Sequence, residues 1–295
     1  MVSFKKLKFK CPFCDSFKTD ALSQTKSPMN NKTYTTVLCD NCDLQFFSPL
    51  IYENVYETEL YAPYVDHHKG RTRIPPWFKE VAKSMKRLKI NPKGKKLLDI
   101  GAGDCLHFEY LTNIFKITPE TYHVIELDKK SLAVAKRRGV KPSQISPHYF
   151  QNSILKKVKT KFDIITATEV LEHQVDPRDF LKTAFAMLKD DGYLIMTFPN
   201  RNKFFYKFRP DTPPHHFLML SIRFFKRNFP KQFVEGYSYC DAEHKNIVES
   251  AKVISKKVFK RRWLFPLGLL FVLPIRILDS IRGESLVIVL KKRRL

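Results

Sequence analysis

Residues 95 to 105 constrain this chain more than any other stretch. An apolar run (Leu97, Leu98, Ile100) carries an acid, Asp99, next to its end. It passes into the turn Gly101-Ala102-Gly103 and then into a helical pattern at Leu106, Phe108 and Leu111. Glycines admit backbone amides to a ligand where a Cβ would clash, and the helix that follows aims its amide-rich N-terminus at the same place. Glu126 closes the next apolar run, Tyr122-His123-Val124-Ile125, 23 positions beyond Gly103. A nucleotide-binding βαβ unit puts the carboxylate that holds a ribose diol at about that distance.

A second string points the same way. Lys161 to Thr168 reads as a β-branched strand, followed by Glu169-Val170-Leu171-Glu172-His173 and Val175-Asp176-Pro177. An amphipathic helix then carries Phe180, Leu181, Ala184, Phe185 and Leu188, and is expected to stop at Gly192. Tyr193 to Phe198 forms the next strand, closed by Pro199-Asn200. A dinucleotide fingerprint wants a glycine where Leu106 stands, and seldom needs an acid before its first glycine. Asp99 suits a ligand with a cationic amino group beside the strand end, as in S-adenosylmethionine. In these motifs the chain resembles class I S-adenosylmethionine-dependent methyltransferases, strongly over residues 93 to 200. Within that class it is similar to the branch of ubiquinone-pathway O-methyltransferases and sugar-tailoring enzymes. The resemblance implies cofactor contacts at Asp99, Gly101, Gly103 and Glu126, with Thr168 closing the fourth strand on the cofactor side. Asn152 is the expected partner of the adenine. Cys105 stands where the family usually has a third glycine and is expected to crowd the methionine end of the pocket.

The N-terminal cysteines form two pairs, Cys11-Pro12-Phe13-Cys14 and Cys39-Asp40-Asn41-Cys42. Each turns two thiolates toward one tetrahedral ion, and the β-prone residues 33 to 38 between them suit a ribbon hairpin. The expectation is a structural zinc on Cys11, Cys14, Cys39 and Cys42, with no open position for chemistry. Cys105 and Cys240 read as packing residues. Cysteine usage fits a reducing, cytoplasmic setting better than a secreted disulfide scaffold, and the first residues lack the apolar run of a signal peptide.

The expected architecture is α/β: a Rossmann-like, seven-strand, mostly parallel methyltransferase sheet with helices on both faces, preceded by a small zinc ribbon. The ribbon is placed at 1–50 and a Tyr-rich helical connector at 51–92. The catalytic domain takes 93–295, with a substrate-side insertion at 201–281 and a last strand at 285–290, which the resemblance makes an antiparallel edge strand. In the connector, Tyr52, Tyr56, Tyr61 and Tyr64 serve equally well as substrate contacts or packing, and Trp77, Phe78, Val81, Met85 and Leu88 make one helical face.

The reaction implied is transfer of a methyl group to an oxygen or carbon of a small-molecule, sugar or lipid-linked acceptor. The competing readings are an RNA or protein methyltransferase, and a non-catalytic cofactor-binding or nucleic-acid-binding protein. A base is needed near the acceptor, and the expected groups are His215 and His216 in Pro213-Pro214-His215-His216, then His173 as an orienting group. A divalent ion on Glu169, Glu172 and His173 ranks third. The apolar run 263 to 275, preceded by Lys256, Lys257, Lys260, Arg261 and Arg262, is short for a span. It reads first as a buried helix and second as a peripheral contact with an anionic membrane surface. The net charge of +24 favours polyanions in general, but the basic residues are spread along the chain, so nucleic acid is not the favoured partner. The sequence leaves the oligomeric state open.

Overall fold

Short apolar runs bounded by turns alternate with amphipathic helical segments along most of the chain. The computed structural model describes residues 8–51, 74–203, 213–239 and 283–294, with scattered positions between 251 and 274. The N-terminal strands are β1 (Thr19–Lys26), β2 (Thr33–Cys39) and β3 (Gln45–Ser48). Then come β4 (Leu97–Ile100), β5 (Tyr122–Ile125), β6 (Ile145–Ser146), β7 (Phe162–Thr168) and β8 (Leu188–Pro199). The last three are β9 (Leu218–Met219), β10 (Phe233–Tyr239) and β11 (Ser285–Lys291). The helices are α1 (Pro76–Arg87), α2 (Leu106–Phe115), α3 (Lys129–Arg137), α4 (Ile154–Lys157), α5 (Pro177–Met187) and α6 (Ile222–Asn228). Their starts follow from capping chemistry. Pro76 opens α1; the carboxylates of Asp128 and Asp176 accept amides at the starts of α3 and α5, and the Ser221 hydroxyl does so for α6.

The large sheet has seven strands in the order β10-β11-β8-β7-β4-β5-β6. Strands β6, β5, β4, β7 and β8 are mutually parallel, whereas β11 runs antiparallel to both β8 and β10. Successive side chains of a strand face opposite ways, and the two cores follow that alternation. Leu98, Ile100, Ile165 and Ala167 pack with residues of α5 and α6. Leu97, Val124 and Ile164 pack with α1, α2 and α3 on the other face. The fold class read from the sequence is therefore the one observed.

Several local expectations change. Strand 285–291 is antiparallel but internal: β10, unrecognised inside the insertion, covers its outer edge. Glycine at position 236 and serine at 238 hide β10 from a count of β-branched residues. Gly192 does not stop a helix. The helix ends at Met187, and residues 188 to 192 already belong to β8. Asp191 takes the left-handed turn there (φ 64°), and a Cβ on Gly192 would lie 2.9 Å from the Lys189 carbonyl and 3.0 Å from that of Asp163. Close backbone approach explains that glycine. Tyr52, Tyr56, Tyr61 and Tyr64 lie outside the described residues, as do Cys240 and most of the 263–275 run. No helix among the described residues is long and apolar enough to cross a membrane.

The N-terminal sheet has four strands, β1-β2-β3-β9. Its fourth member comes from beyond the large sheet's β8, where Gln45 and Phe46 pair with Met219 and Leu218. Cys11, Val37, Cys39, Cys42, Leu44 and Phe46 share one continuous core with α5 and α6. Phe13 meets Phe224 edge-on at 4.9 Å, and Asp43 accepts hydrogen bonds from Arg201 and Ser221, each at 2.8 Å.

Candidate functional site

The glycine turn sits at the C-terminal end of β4, with Gly101 and Gly103 at φ 66° and 54°, a region that favours glycine. A Cβ on Gly101 would lie 2.6 Å from a Val170 methyl, so that position also admits only glycine on packing grounds. Next to the turn, Ile100, Gly101, Glu126, Tyr149, Phe150, Val170 and Gln174 line a narrow, half-open cleft of about 70 Å³. The place, outside the carboxyl ends of parallel strands, is where open α/β sheets bind ligands.

Glu126 is the polar centre of this cleft. Its Oε2 accepts the Gly103 amide at 2.8 Å, and its Oε1 accepts the amides of Leu127 and Asp128 at 2.7 and 2.9 Å. Burial pushes its carboxyl above the ordinary value, against the pull of those amides. Asp99 is placed differently. It is 1% exposed; Thr166 donates to Oδ1 at 2.7 Å, while Oδ2 takes the Tyr122 hydroxyl and lies 3.2 Å from His107 Nδ1. Both oxygens are engaged beneath the turn, so Asp99 braces the turn from the core. Asn152 is exposed, its backbone amide bound to Asp179, and it is not among the lining residues. On that side the cleft is lined by His148, Tyr149 and Phe150, which the sequence reading missed. They follow β6, a strand of only two residues that carries too little pattern to be seen. Thr168 is buried at the end of β7. Cys105 is fully buried at φ 59°, packed with Val81, Ala82 and Phe108. Its side chain belongs to the core and is not among the residues that line the cleft.

The three histidines expected on the acceptor side meet. His173, on the turn after β7, lies with its ring centroid 5.2 Å from that of His215 and 4.8 Å from that of His216. The rings of His215 and His216 stack at 4.2 Å. The turn that carries His173 also contributes Val170 and Gln174 to the cleft. Two backbone hydrogen bonds fasten the histidine segment: the Phe217 amide donates to the Glu172 carbonyl at 2.8 Å, and the Phe47 amide to the Phe217 carbonyl at 3.0 Å. The N-terminal sheet thus holds the segment that presents His215 and His216.

In the cysteine cluster, Sγ of Cys11 lies 3.5 Å from that of Cys42, and Sγ of Cys14 lies 3.6 Å from that of Cys39. All four sulfurs fall within 4.8 Å of one another. Hydrogen bonding from Cys42 holds the Cys11 thiol down at about 5, burial pushes Cys39 up to about 11, and the bond to Cys11 raises Cys42 further. Four sulfurs this close together are placed to share one divalent cation. The donor set fits zinc.

With this geometry in hand, the chain can be compared with known proteins. A family model described as a methyltransferase domain matches residues 68–244. The ubiquinone biosynthesis O-methyltransferase of Pseudomonas fluorescens is 30% identical over 123 residues, 41% of this chain and 51% of that one. Its counterpart from Coxiella burnetii is 34% identical over 115 residues, 38% and 47% of the two chains. The chain thus spans about half the length of the curated relatives it matches. Among solved structures, a chain from the complex between the Haloferax volcanii Trm112 methyltransferase activator and a methyltransferase superposes with a TM-score of 0.57. It is 13% identical and covers 80% of this chain and 96% of its own length, a likeness of fold.

Proposed function

We propose that this chain, which belongs to the methyltransferase-domain family, transfers a methyl group from S-adenosylmethionine to a hydroxyl oxygen of a small-molecule acceptor. One observation carries the reading: the cleft at Gly101 and Glu126 shares the 170–174 turn with the three-histidine cluster. A cofactor side and an acceptor side are thereby adjacent, which methyl transfer requires. S-adenosylmethionine, when bound, supplies a methyl group on an electron-poor sulfur. Glu126 would accept the ribose hydroxyls, the turn amides of 101 to 103 would face the methionine portion, and Tyr149 and Phe150 would flank the adenine. Removal of the acceptor's proton falls to the histidine cluster, with His215 and His216 as bases and His173 as orienting group. In the same reading the four cysteines hold a structural zinc.

The relatives named for ubiquinone biosynthesis support an oxygen acceptor. Leu267, Leu270 and Phe271 are exposed, Leu270 to 70%. Together with the basic residues 256 to 262, they favour a lipid-linked acceptor met at an anionic membrane surface as a second reading. The test uses S-adenosylmethionine with a labelled methyl group and panels of phenolic, sugar and lipid-linked hydroxyl compounds, RNA and protein. We expect label on a hydroxyl compound. His215→Ala and His216→Ala should retain cofactor affinity, while at least one lowers turnover about 10²-fold or more. Label confined to RNA or protein, or cofactor binding without any transfer, would replace this reading.

A further inference from the structure

We infer that Arg178 and Arg201 are positioning residues for methyl transfer. Each clasps one cysteine knuckle of the ribbon, and through that grip the ribbon keeps the segment presenting His215 and His216 in place. The inference rests on the acceptor-side assignment made above.

A repeat in the sequence comes first. Both cysteine pairs continue into aspartate, as Cys11-Pro12-Phe13-Cys14-Asp15 and Cys39-Asp40-Asn41-Cys42-Asp43. The two knuckles fold alike. The Asp15 amide donates to the Cys11 carbonyl at 3.0 Å, and the Asp43 amide to the Cys39 carbonyl at 2.8 Å. The Cys11 amide donates to the Ser16 carbonyl at 3.0 Å, and the Cys39 amide to the Leu44 carbonyl at 2.8 Å. Asp15 and Asp43 close these loops at φ 58° and 66°. Glycine suits that conformation best, since it has no Cβ to clash. Four thiolates already complete a tetrahedral set, so the metal does not call for a carboxylate there.

Each carboxylate instead meets an arginine from the large sheet's side of the molecule. Arg178 Nη1 donates to Asp15 Oδ2 at 2.5 Å, and its Nε donates to the Phe13 carbonyl inside the first knuckle. Arg201 Nη2 donates to Asp43 Oδ2 at 2.8 Å, and its Nη1 donates to the Asp43 carbonyl at 2.6 Å. In both places one guanidinium fork spans a carboxylate and a backbone carbonyl, which a lysine cannot do. Lys10 lies 3.0 Å from Asp15 and Arg223 3.8 Å from Asp43, but both are largely exposed. The second clasp is the buried one: the Arg201 and Asp43 side chains are 13% and 8% exposed, against 31% and 50% for Arg178 and Asp15. Exposed pairs contribute little, whereas a buried pair is costly to break.

The positions of the arginines give the clasps their consequence. Arg178 is the second residue of α5, shortly after the turn that lines the cleft with Val170 and Gln174. Arg201 follows the end of β8, and its backbone amide donates to the Leu220 carbonyl at 2.8 Å. The Ser221 hydroxyl donates to the same Asp43 Oδ2 that Arg201 holds. Residues 217–221 are thus enclosed between Arg201 and the ribbon residues Asp43, Phe46 and Phe47. Methyl transfer depends on alignment, and a displacement of about 1 Å lowers rates about 10²-fold.

The test uses full-length, zinc-loaded protein with Arg201→Met, Arg201→Lys, Arg178→Met and Asp43→Gly, the last of which keeps the positive-φ backbone. Each should retain the parent's zinc content and calorimetric affinity for S-adenosylmethionine. Hydrogen-exchange mass spectrometry should show residues 213–221 exchanging tenfold or more faster in Arg201→Met and Asp43→Gly, with β4 and β5 as protected as in the parent. Arg178→Met should act on residues 11–16 first. On a hydroxyl compound that accepts label, Arg201→Met should lower kcat tenfold or more with KM for S-adenosylmethionine unchanged. Arg201→Lys, which keeps the charge and loses the fork, should fall between. Parent-like exchange in 213–221, or a parent-like kcat, in Arg201→Met would overturn the positioning role. Loss of zinc or of cofactor affinity in that variant would overturn it too, by marking the pair as a support of the fold at large. Should Arg201→Met not fold, Asp43→Gly and Arg201→Lys carry the same readouts. If no hydroxyl compound accepts label, the acceptor assignment fails, while exchange in 213–221 still decides the clasp.

Discussion

At the scale of single residues, the two acids expected to hold the cofactor sit in different surroundings. Asp99 spends both oxygens on Thr166, Tyr122 and His107 inside the core. Glu126 faces the cleft, bound to loop amides that a ligand can rearrange. Replacing Glu126 by alanine should therefore weaken S-adenosylmethionine binding by about 1–3 kcal/mol with little loss of thermal stability. Asp99→Ala should act mainly on stability, because it strands buried donors. Calorimetric titration and melting curves on both variants check this; equal loss of affinity in both would show that Asp99 contacts the ligand. The pH dependence follows from burial of Glu126, which raises its carboxyl above the usual value. As pH falls toward that raised value, the group takes up a proton and loses acceptor capacity. Affinity should thus decline at a higher pH than an ordinary carboxylate would dictate, and Glu126→Ala should flatten the profile. Both acids were legible in the sequence, since each ends an apolar run beside a glycine turn. Which of them lines the cleft was not, because local pattern does not say which side of each strand end the core covers.

At the scale of elements, the N-terminal sheet and the histidine segment act as one unit. Strand β9 pairs with β3, Phe47 and Glu172 grip Phe217, and Asp43 ties Arg201 to the Ser221 that caps α6. Metal binding supplies folding energy to modules of this size. Removing the ion with a chelator, or changing Cys39→Ser, should speed amide exchange not only in residues 19–48 but also in 216–220. Exchange in β4 and β5 should stay slow. Hydrogen-exchange mass spectrometry reads this directly, and unchanged protection of 216–220 in metal-free protein would uncouple the two. The sequence announced the ribbon through its paired Cys-x-x-Cys spacing. It did not announce the fourth strand: β9 has two residues and lies 170 positions or more from its partner (Phe46 to Leu218 is 172). Strand pairing at that separation is written in no local period.

For the whole molecule, the ribbon and the α/β sheet share a core. Cys11, Cys39, Cys42 and the ribbon's apolar residues lie in the same cluster as Phe180, Phe224, Phe225 and the β8 residues Met196 and Phe198. Domains with separate cores unfold separately, whereas a continuous core couples them. Scanning calorimetry of the zinc-loaded protein should give one cooperative transition, moving to lower temperature when the ion is removed. A distinct low-temperature transition assigned to residues 8–48 would show that the shared core does not couple them.

What the chain's sequence determined by itself is the set of features that local physics writes: strand and helix periods from 97 to 199, positive-φ glycines at 101 and 103, the carboxylate at 126, and two thiol pairs spaced for one ion. Each depends on a few neighbouring residues and on backbone sterics. Only the tertiary structure decided that β10 covers β11, that Asp99 turns inward, and that His173 meets two histidines more than 40 positions away (His215 is 42 along). Those outcomes depend on which faces pack together and which distant strands share hydrogen bonds. They are fixed by burial of the whole core, a quantity that no single segment carries.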